Sequence, residues 1–344
     1  ARRGGRGRRT AAGAACSGRR PRSAARHDSR LVTTATPTAA YLERPLHVMG
    51  TTGRLVVAHG GAPAEAAAAL GAAQRLIADL AARLTRFDPA SDLERLNDDP
   101  RHAVPVGPAL AGALAAAVRA HRASGGLVDA GLGAALRDAG YDRTHAALPA
   151  PPPPLPGPCR PAAPGTLGLA RVRVDLARCV VHRPPGLRVD LGGIAKGLAA
   201  DRAAAIVAPF PRALVDLGGD LRATGTAAAQ LPQEVRVAHP LRRDRPAALL
   251  VLADGAAATS CTVARAWCDR RGRRTHHLLD PSTGGCARTG LVQVTAVAAT
   301  ALDAERLAKQ ALLLGPAAGS ALLRAHDGGV LVREGGGVEE VPAR

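Results

Sequence analysis

The sequence predicts an α+β chain, helices packed on a mixed or antiparallel sheet, and three observations carry that expectation. Apolar residues make up 47% of the 344 positions, the content of a chain with a buried core. Apolar side chains recur at three-to-four spacing over 63–85 and 300–314, the period of an amphipathic helix. Short apolar runs bounded by glycine and proline lie between such segments and read as strands. The length suits one large domain or two small ones.

Residues 1–44 hold eleven arginines against Asp28 and Glu43, about half of the formal charge of +18, and show no sustained periodicity. The expectation is a disordered basic arm, with the folded domain over 45–344. The remaining arginines are scattered and aromatics are 1% of residues, so no base-stacking groove is expected and no specific nucleic-acid partner. No segment has the roughly 20 apolar residues of a membrane span. The start lacks the apolar stretch of a signal peptide, which makes a cytoplasmic location the default. Six cysteines show no C-x-x-C pair, which argues against structural zinc.

From Pro45 onward, 46–58 reads as two strand-like pieces about Gly50-Thr51-Thr52-Gly53. The helix 63–85 starts with Pro63 in its first turn, and Ala66, Leu70, Ala73, Ile77, Leu80 and Leu84 form one stripe. Ser91 is placed to cap a short helix, with Glu94 completing a capping box. A second long helix over 108–124 stops at Gly125-Gly126; Leu127-Val128-Asp129 then sets a carboxylate in a glycine-rich segment before a short helix at 133–140. Proline fills more than half of 149–164, a surface loop. Hairpins follow at 172–181 and 213–225, then strands at 234–238 and 247–253 that continue the sheet. A charged hairpin at 265–275 leads to a histidine-bearing strand ending in Pro281-Ser282-Thr283-Gly284. A strand at 292–298, the helix 300–314 and closing segments at 322–325 and 330–333 complete the chain.

One stretch, 190–201, joins a carboxylate, a glycine pair and a lysine. Leu187–Leu191 reads as the end of a strand, Gly192 and Gly193 let the backbone approach a ligand, and a helix begins near Ile194. Backbone N–H groups at that helix start favour an anion, and Lys196 adds a full charge in the first turn. Asp190 can hold a ring N–H or a hydroxyl. The same residues also fit a packed strand-to-helix connection with a solvated Lys196.

Six motifs in order settle more than any one of them. They are M-G-T-T at 49–52, R-F-D-P-A-S-D-L-E-R-L-N at 86–97, D-L-G-G-I-A-K-G-L-A-A-D-R at 190–202, L-V-D-L-G-G-D at 214–220, A-T-S at 258–260 and H-H-L-L-D-P-S-T-G at 276–284. Together they resemble the ApbE family of FAD:protein FMN transferases, over roughly 46–332. The resemblance implies a single α+β domain that binds FAD, cleaves its pyrophosphate with Mg²⁺ and attaches FMN to a Thr or Ser hydroxyl of an acceptor protein, releasing AMP. It also implies that Met49, Phe87, Leu127, Val128, Asp129, Asp190, Lys196 and Leu279 contact FAD, that the Gly193 carbonyl lies by the metal, and that His277 takes the acceptor's proton.

These roles suit the residue types. A hydroxyl is a poor nucleophile near neutral pH, and histidine has the pKa of a base for it. Phosphate charge needs neutralising, which a metal together with Lys196 and glycine-loop N–H groups supplies. His276 competes with His277, but adjacent strand residues face opposite sides, so one of the two faces the site. Asp280 reads as the cap of the Pro-Ser-Thr-Gly turn.

The chain departs from the family pattern at one place. Where the family has Asp and, four residues on, Thr as metal ligands, this sequence has Glu305 and Lys309. Glutamate can bind Mg²⁺, whereas an ammonium cannot. The spacing also fits an i,i+4 ion pair. Three outcomes stand open: a metal site completed by Glu305, Asp303 and water; Lys309 replacing the metal's charge; or a protein that binds FAD and transfers poorly. The expected activity is transfer, with FAD hydrolysis or non-catalytic FAD binding as alternatives.

Overall fold

The computed structural model describes residues 40–153, 158–165, 168–242 and 244–344. The arm expected over 1–44 lies outside them up to position 39, and Tyr41-Leu42-Glu43-Arg44 already belong to the first strand, β1 (Tyr41–Val48). It pairs with β2 (Thr51–Ala58) through a two-residue turn in which Met49 and Gly50 both have positive φ, 53° and 66°. That left-handed geometry matches the twist of a hairpin, and it is strained for a methionine.

The chain continues through α1 (Pro63–Leu84), α2 (Asp92–Asp98), β3 (Ala103–Pro105), α3 (Pro108–Ala123) and α4 (Gly133–Asp138) to the short strands β4 (Arg173–Asp175) and β5 (Val180–His182). Next come α5 (Ala195–Val207), β6 (Arg212–Asp216), β7 (Asp220–Thr224), β8 (Gln233–Ala238), β9 (Pro246–Leu252) and β10 (Gly255–Cys261). The last elements are β11 (Ala266–Cys268), β12 (Arg274–His276), β13 (Leu291–Ala298), α6 (Ala301–Leu314), α7 (Pro316–Arg324), β14 (Gly329–Arg333) and β15 (Val338–Val341).

Eight strands form the main sheet in the order β1-β2-β6-β7-β10-β13-β14-β15, and every neighbouring pair runs antiparallel. The α+β expectation therefore holds in its antiparallel form. Helix α1 lays its stripe on the sheet: Leu70, Ile77 and Leu80 are each at most 2% exposed. Burial of such a side chain contributes about 2 kcal/mol. Helix α5 lies between α1 and α6 and is apolar almost all round, so small residues set its spacing. At Gly197 a Cβ would come within 2.7 Å of the Ala301 carbonyl oxygen, so glycine there lets the first turns of α5 and α6 meet. That crossing brings Lys196 and Glu305 together.

Several sequence expectations need correction. Strands β8 and β9 form their own two-stranded sheet and do not extend the main one. The segment 322–325 is the last turn and C-cap of α7, and Val338–Val341 adds a strand, β15, that the sequence reading does not contain. Ser91 caps α2 by accepting from the Glu94 N–H at 3.0 Å, but the Glu94 side chain turns to Asn97 and Arg188 and does not close a capping box. No strand forms at 187–191. The described parts of 149–164 have no regular structure, as the prolines imply. Among the described residues no helix is long and apolar enough to cross a membrane, and the five described cysteines form no disulfide.

Candidate active site

A cavity of about 570 Å³ opens where the Met49-Gly50 turn, the end of α1, the segment 127–132, the start of α5 and the loop 277–279 converge. Met49, Phe87, Leu127, Val128, Asp129, Asp190, Gly193, Lys196, His277, Leu279 and Lys309 all line it. Glu305 is not on the wall, nor are His276, Asp280 and Asp303; Glu305 is 1% exposed and bonded to Lys309.

The glycine turn is held by a side chain and not by a neighbouring strand. Asn97, 5% exposed, accepts from the Val189 N–H at 2.7 Å and donates to the Val189 carbonyl at 2.9 Å, and Asp190 N–H donates to the Ala130 carbonyl. This clasp satisfies the extended backbone that the sequence suggests is a strand. One carboxylate oxygen of Asp190 accepts from the Gly192 N–H at 2.8 Å, and the other pairs with Arg86. The Asp129 carboxylate accepts from Gly131 N–H at 2.7 Å in its own loop and from Leu169 N–H at 3.1 Å in a second segment, so it ties the cavity wall together.

Aromatic side chains are concentrated at one side. Phe87, Tyr141 and Trp267, three of the five in the sequence, stack with centroid separations of 5.5 and 4.8 Å. The Arg86 guanidinium sits 4.3 Å from the Phe87 ring centre and 4.5 Å from that of Tyr141, a doubled cation–π contact. A sparse aromatic supply thus serves the cavity. Leu279 packs in the same cluster.

The two histidines part at the end of β12: His276 is its last residue and His277 lies just beyond it, so strand alternation does not govern the pair. His276 is buried on the far side, its Nε2 3.1 Å from the Ala287 carbonyl, and burial pushes its pKa down to about 4. His277 lines the cavity, with Nδ1 3.4 Å from the Arg265 carbonyl. Since a carbonyl only accepts, the neutral ring carries its proton on Nδ1 and keeps the Nε2 lone pair free. Burial, and then the Arg265 charge, hold His277 well below the ordinary histidine pKa. Asp280 caps its turn, accepting from Ser282 N–H at 3.0 Å and Ser282 Oγ at 2.7 Å.

Four charges meet at the cavity floor. Lys196 bonds to Asp220, and Lys309 Nζ lies 3.1 Å from Glu305 Oε1. Burial acts to lower the Lys196 pKa, but the Asp220 and Glu305 carboxylates outweigh it and hold the ammonium charged. For Glu305 burial is outweighed by Lys309 and Lys196, so its carboxylate is also ionised. Its other oxygen accepts from the Gly197 N–H at 2.9 Å.

The sequence pattern of the ApbE family matches residues 49–332, most of the chain. The chain belongs to the ApbE family. Its fold is similar to the ApbE protein of Thermotoga maritima, with a TM-score of 0.72 and 27% identity over 88% of this chain and 97% of that one. Among curated relatives, the FAD:protein FMN transferase of Treponema pallidum is 34% identical over 46% of this chain, and the match spans about half, 47%, of that protein. That of Escherichia coli is 32% identical over 38% of this chain and 38% of its own length.

The ApbE resemblance implies Mg²⁺, and the residues here do not fit it as a ligand set. Both Glu305 oxygens are engaged, one by an ammonium, and Asp220 is paired with Lys196. The Asp303 carboxylate accepts from the hydroxyl of Thr300, the N-cap of α6, and pairs with Arg306. Among the described residues no group of three or more His, Cys, Asp or Glu is placed to hold a metal ion. Octahedral Mg²⁺ wants oxygen donors.

Sequence reasoning missed Arg86, Asn97, Tyr141, Asp220 and Arg265. Arg86, Asn97 and Asp220 lie inside recognised motifs, so position alone pointed to them; Tyr141 and Arg265 carry no such signal.

Proposed function

We propose that this protein is a FAD:protein FMN transferase that moves FMN onto a Thr or Ser hydroxyl of an acceptor protein. One observation carries the reading: a neutral histidine with a free Nε2 and two lysine ammoniums line a single cavity. Family membership supports it. The acceptor oxygen attacks the phosphorus of the FMN half, the bond from that phosphorus to the bridging oxygen breaks, and AMP leaves with the bond's electrons. His277 Nε2 takes the hydroxyl proton. Lys196 and Lys309 neutralise the phosphate oxygens, and the Met49, Phe87, Leu127-Val128 and Leu279 surfaces hold the ring system. Arg86 and Asp190 fix the wall against which it lies. Because the residues do not fit Mg²⁺, no step is assigned to it.

The test is AMP release from FAD with and without a carrier protein bearing an acceptor threonine. Release that depends on the carrier supports transfer; equal release without carrier means that water is the acceptor, and no release means binding alone.

A further inference from the structure

The floor of the cavity carries its own answer to the phosphate charge. Lys309 lines the cavity while its partner Glu305 lies behind it, with side-chain exposures of 14% and 2%. An exposed i,i+4 pair needs no further account, but burying two ions costs several kcal/mol each unless something recovers it. The Lys309 stem runs directly over the glycine turn: a Cβ on Gly193 would lie 2.8 Å from its Cε and 3.6 Å from its Nζ. The ammonium is thereby held beside the glycine turn, on the cavity that Lys196 also lines. An ammonium has three donors, and among the described residues Lys309 and Lys196 each give one to a carboxylate. The remaining donors suit a diphosphate with one negative charge on each phosphorus.

We propose that the Lys309 ammonium replaces a divalent cation in this protein, so that FAD is bound and FMN transferred without Mg²⁺; this rests on the transferase reading above. The bonds are those already described: oxygen to phosphorus forms, phosphorus to bridging oxygen breaks, AMP keeps the electron pair, and the proton goes to His277. Lys309 contributes charge and N–H donors to the phosphate oxygens and exchanges no atom. A metal ion entering here would have to displace Lys309 from Glu305 and tolerate its ammonium nearby.

Two readouts on the full chain test this. FAD binding, followed by flavin fluorescence, and FMN transfer to a threonine-bearing carrier are each measured in EDTA and in excess Mg²⁺. The expected result is equality within about twofold for both. Glu305→Asp with Lys309→Thr, which restores oxygen donors, is expected to bind FAD about 10- to 100-fold more weakly in EDTA and to recover in Mg²⁺, the scale of a lost charge-assisted hydrogen bond. Wild-type binding or transfer that falls tenfold or more in EDTA and returns with Mg²⁺ overturns the proposal while leaving the transferase reading intact. Metal-independent FAD binding with no transfer in any condition defeats the transferase reading, and the claim that Lys309 replaces Mg²⁺ in transfer with it.

Discussion

Arg86, just past the C-cap of α1, pairs its guanidinium with the Asp190 carboxylate 104 residues away while lying across the rings of Phe87 and Tyr141. The two side chains are 5% and 15% exposed, so the pair couples the helix, the glycine turn and the aromatic wall of the cavity. Arg86→Met leaves a nearly buried carboxylate without its partner. The expected cost is about 3–5 kcal/mol in urea unfolding, with weaker FAD binding. Arg86→Met with Asp190→Asn should recover much of the stability, since the uncompensated charge is gone.

His277 separates chemistry from binding. His277→Gln should leave FAD affinity within a few-fold of wild type and lower transfer by about 10²- to 10⁴-fold. Its pKa is held below the ordinary 6.5, so the ring stays a base as pH falls through that value, and the acid limb of the transfer profile should lie at lower pH. The Arg265 charge contributes to that depression. Arg265→Met should therefore move the acid limb upward in pH, which a pH series of single-turnover rates reads directly.

His276 gives the fold its own pH dependence. The unfolded chain takes up a proton near pH 6.5 that the folded protein resists down to about 4. Stability from this group is complete above 6.5 and falls as pH drops through that window, by about 3 kcal/mol in all. His276→Gln keeps an N–H for the Ala287 carbonyl and does not titrate. The wild-type urea midpoint should fall relative to that of the variant between pH 7 and 4.5.

Asn97 is the clasp of the glycine turn. Asn97→Leu removes two buried hydrogen bonds to Val189 and leaves that backbone without partners, at an expected cost of about 2–5 kcal/mol. Hydrogen exchange at 189–193 should accelerate before the rest of the domain does. FAD binding should weaken with it.

The legible parts of this molecule are those whose signal is periodic or local. The stripe of α1 and the caps at Ser91 and Asp280 follow from spacing and residue chemistry, and the Glu305–Lys309 pair follows from one helical turn. What spacing could not convey is burial: that pair reads as a surface contact until α5 and α6 cross at Gly197. The segment 187–191 has the composition of a strand, but its partner is a side chain from 92 residues earlier, which no local pattern encodes. Strands β8 and β9 alternate like sheet members, and alternation cannot tell which sheet they join. The site residues come from motif order, Arg86 among them by position alone, whereas Tyr141 owes its place to the aromatic stack.

Transfer of FMN from this cavity to a protein hydroxyl would leave a covalent mark on the acceptor. Intact-mass spectrometry of a threonine-bearing carrier after incubation with this protein and FAD tests it most directly. The expected result is an added mass of one phosphoester-linked FMN, lost when the acceptor threonine is changed to alanine and when His277 is changed to glutamine. A carrier of unchanged mass, in EDTA and in Mg²⁺ alike while FAD is bound, would contradict it.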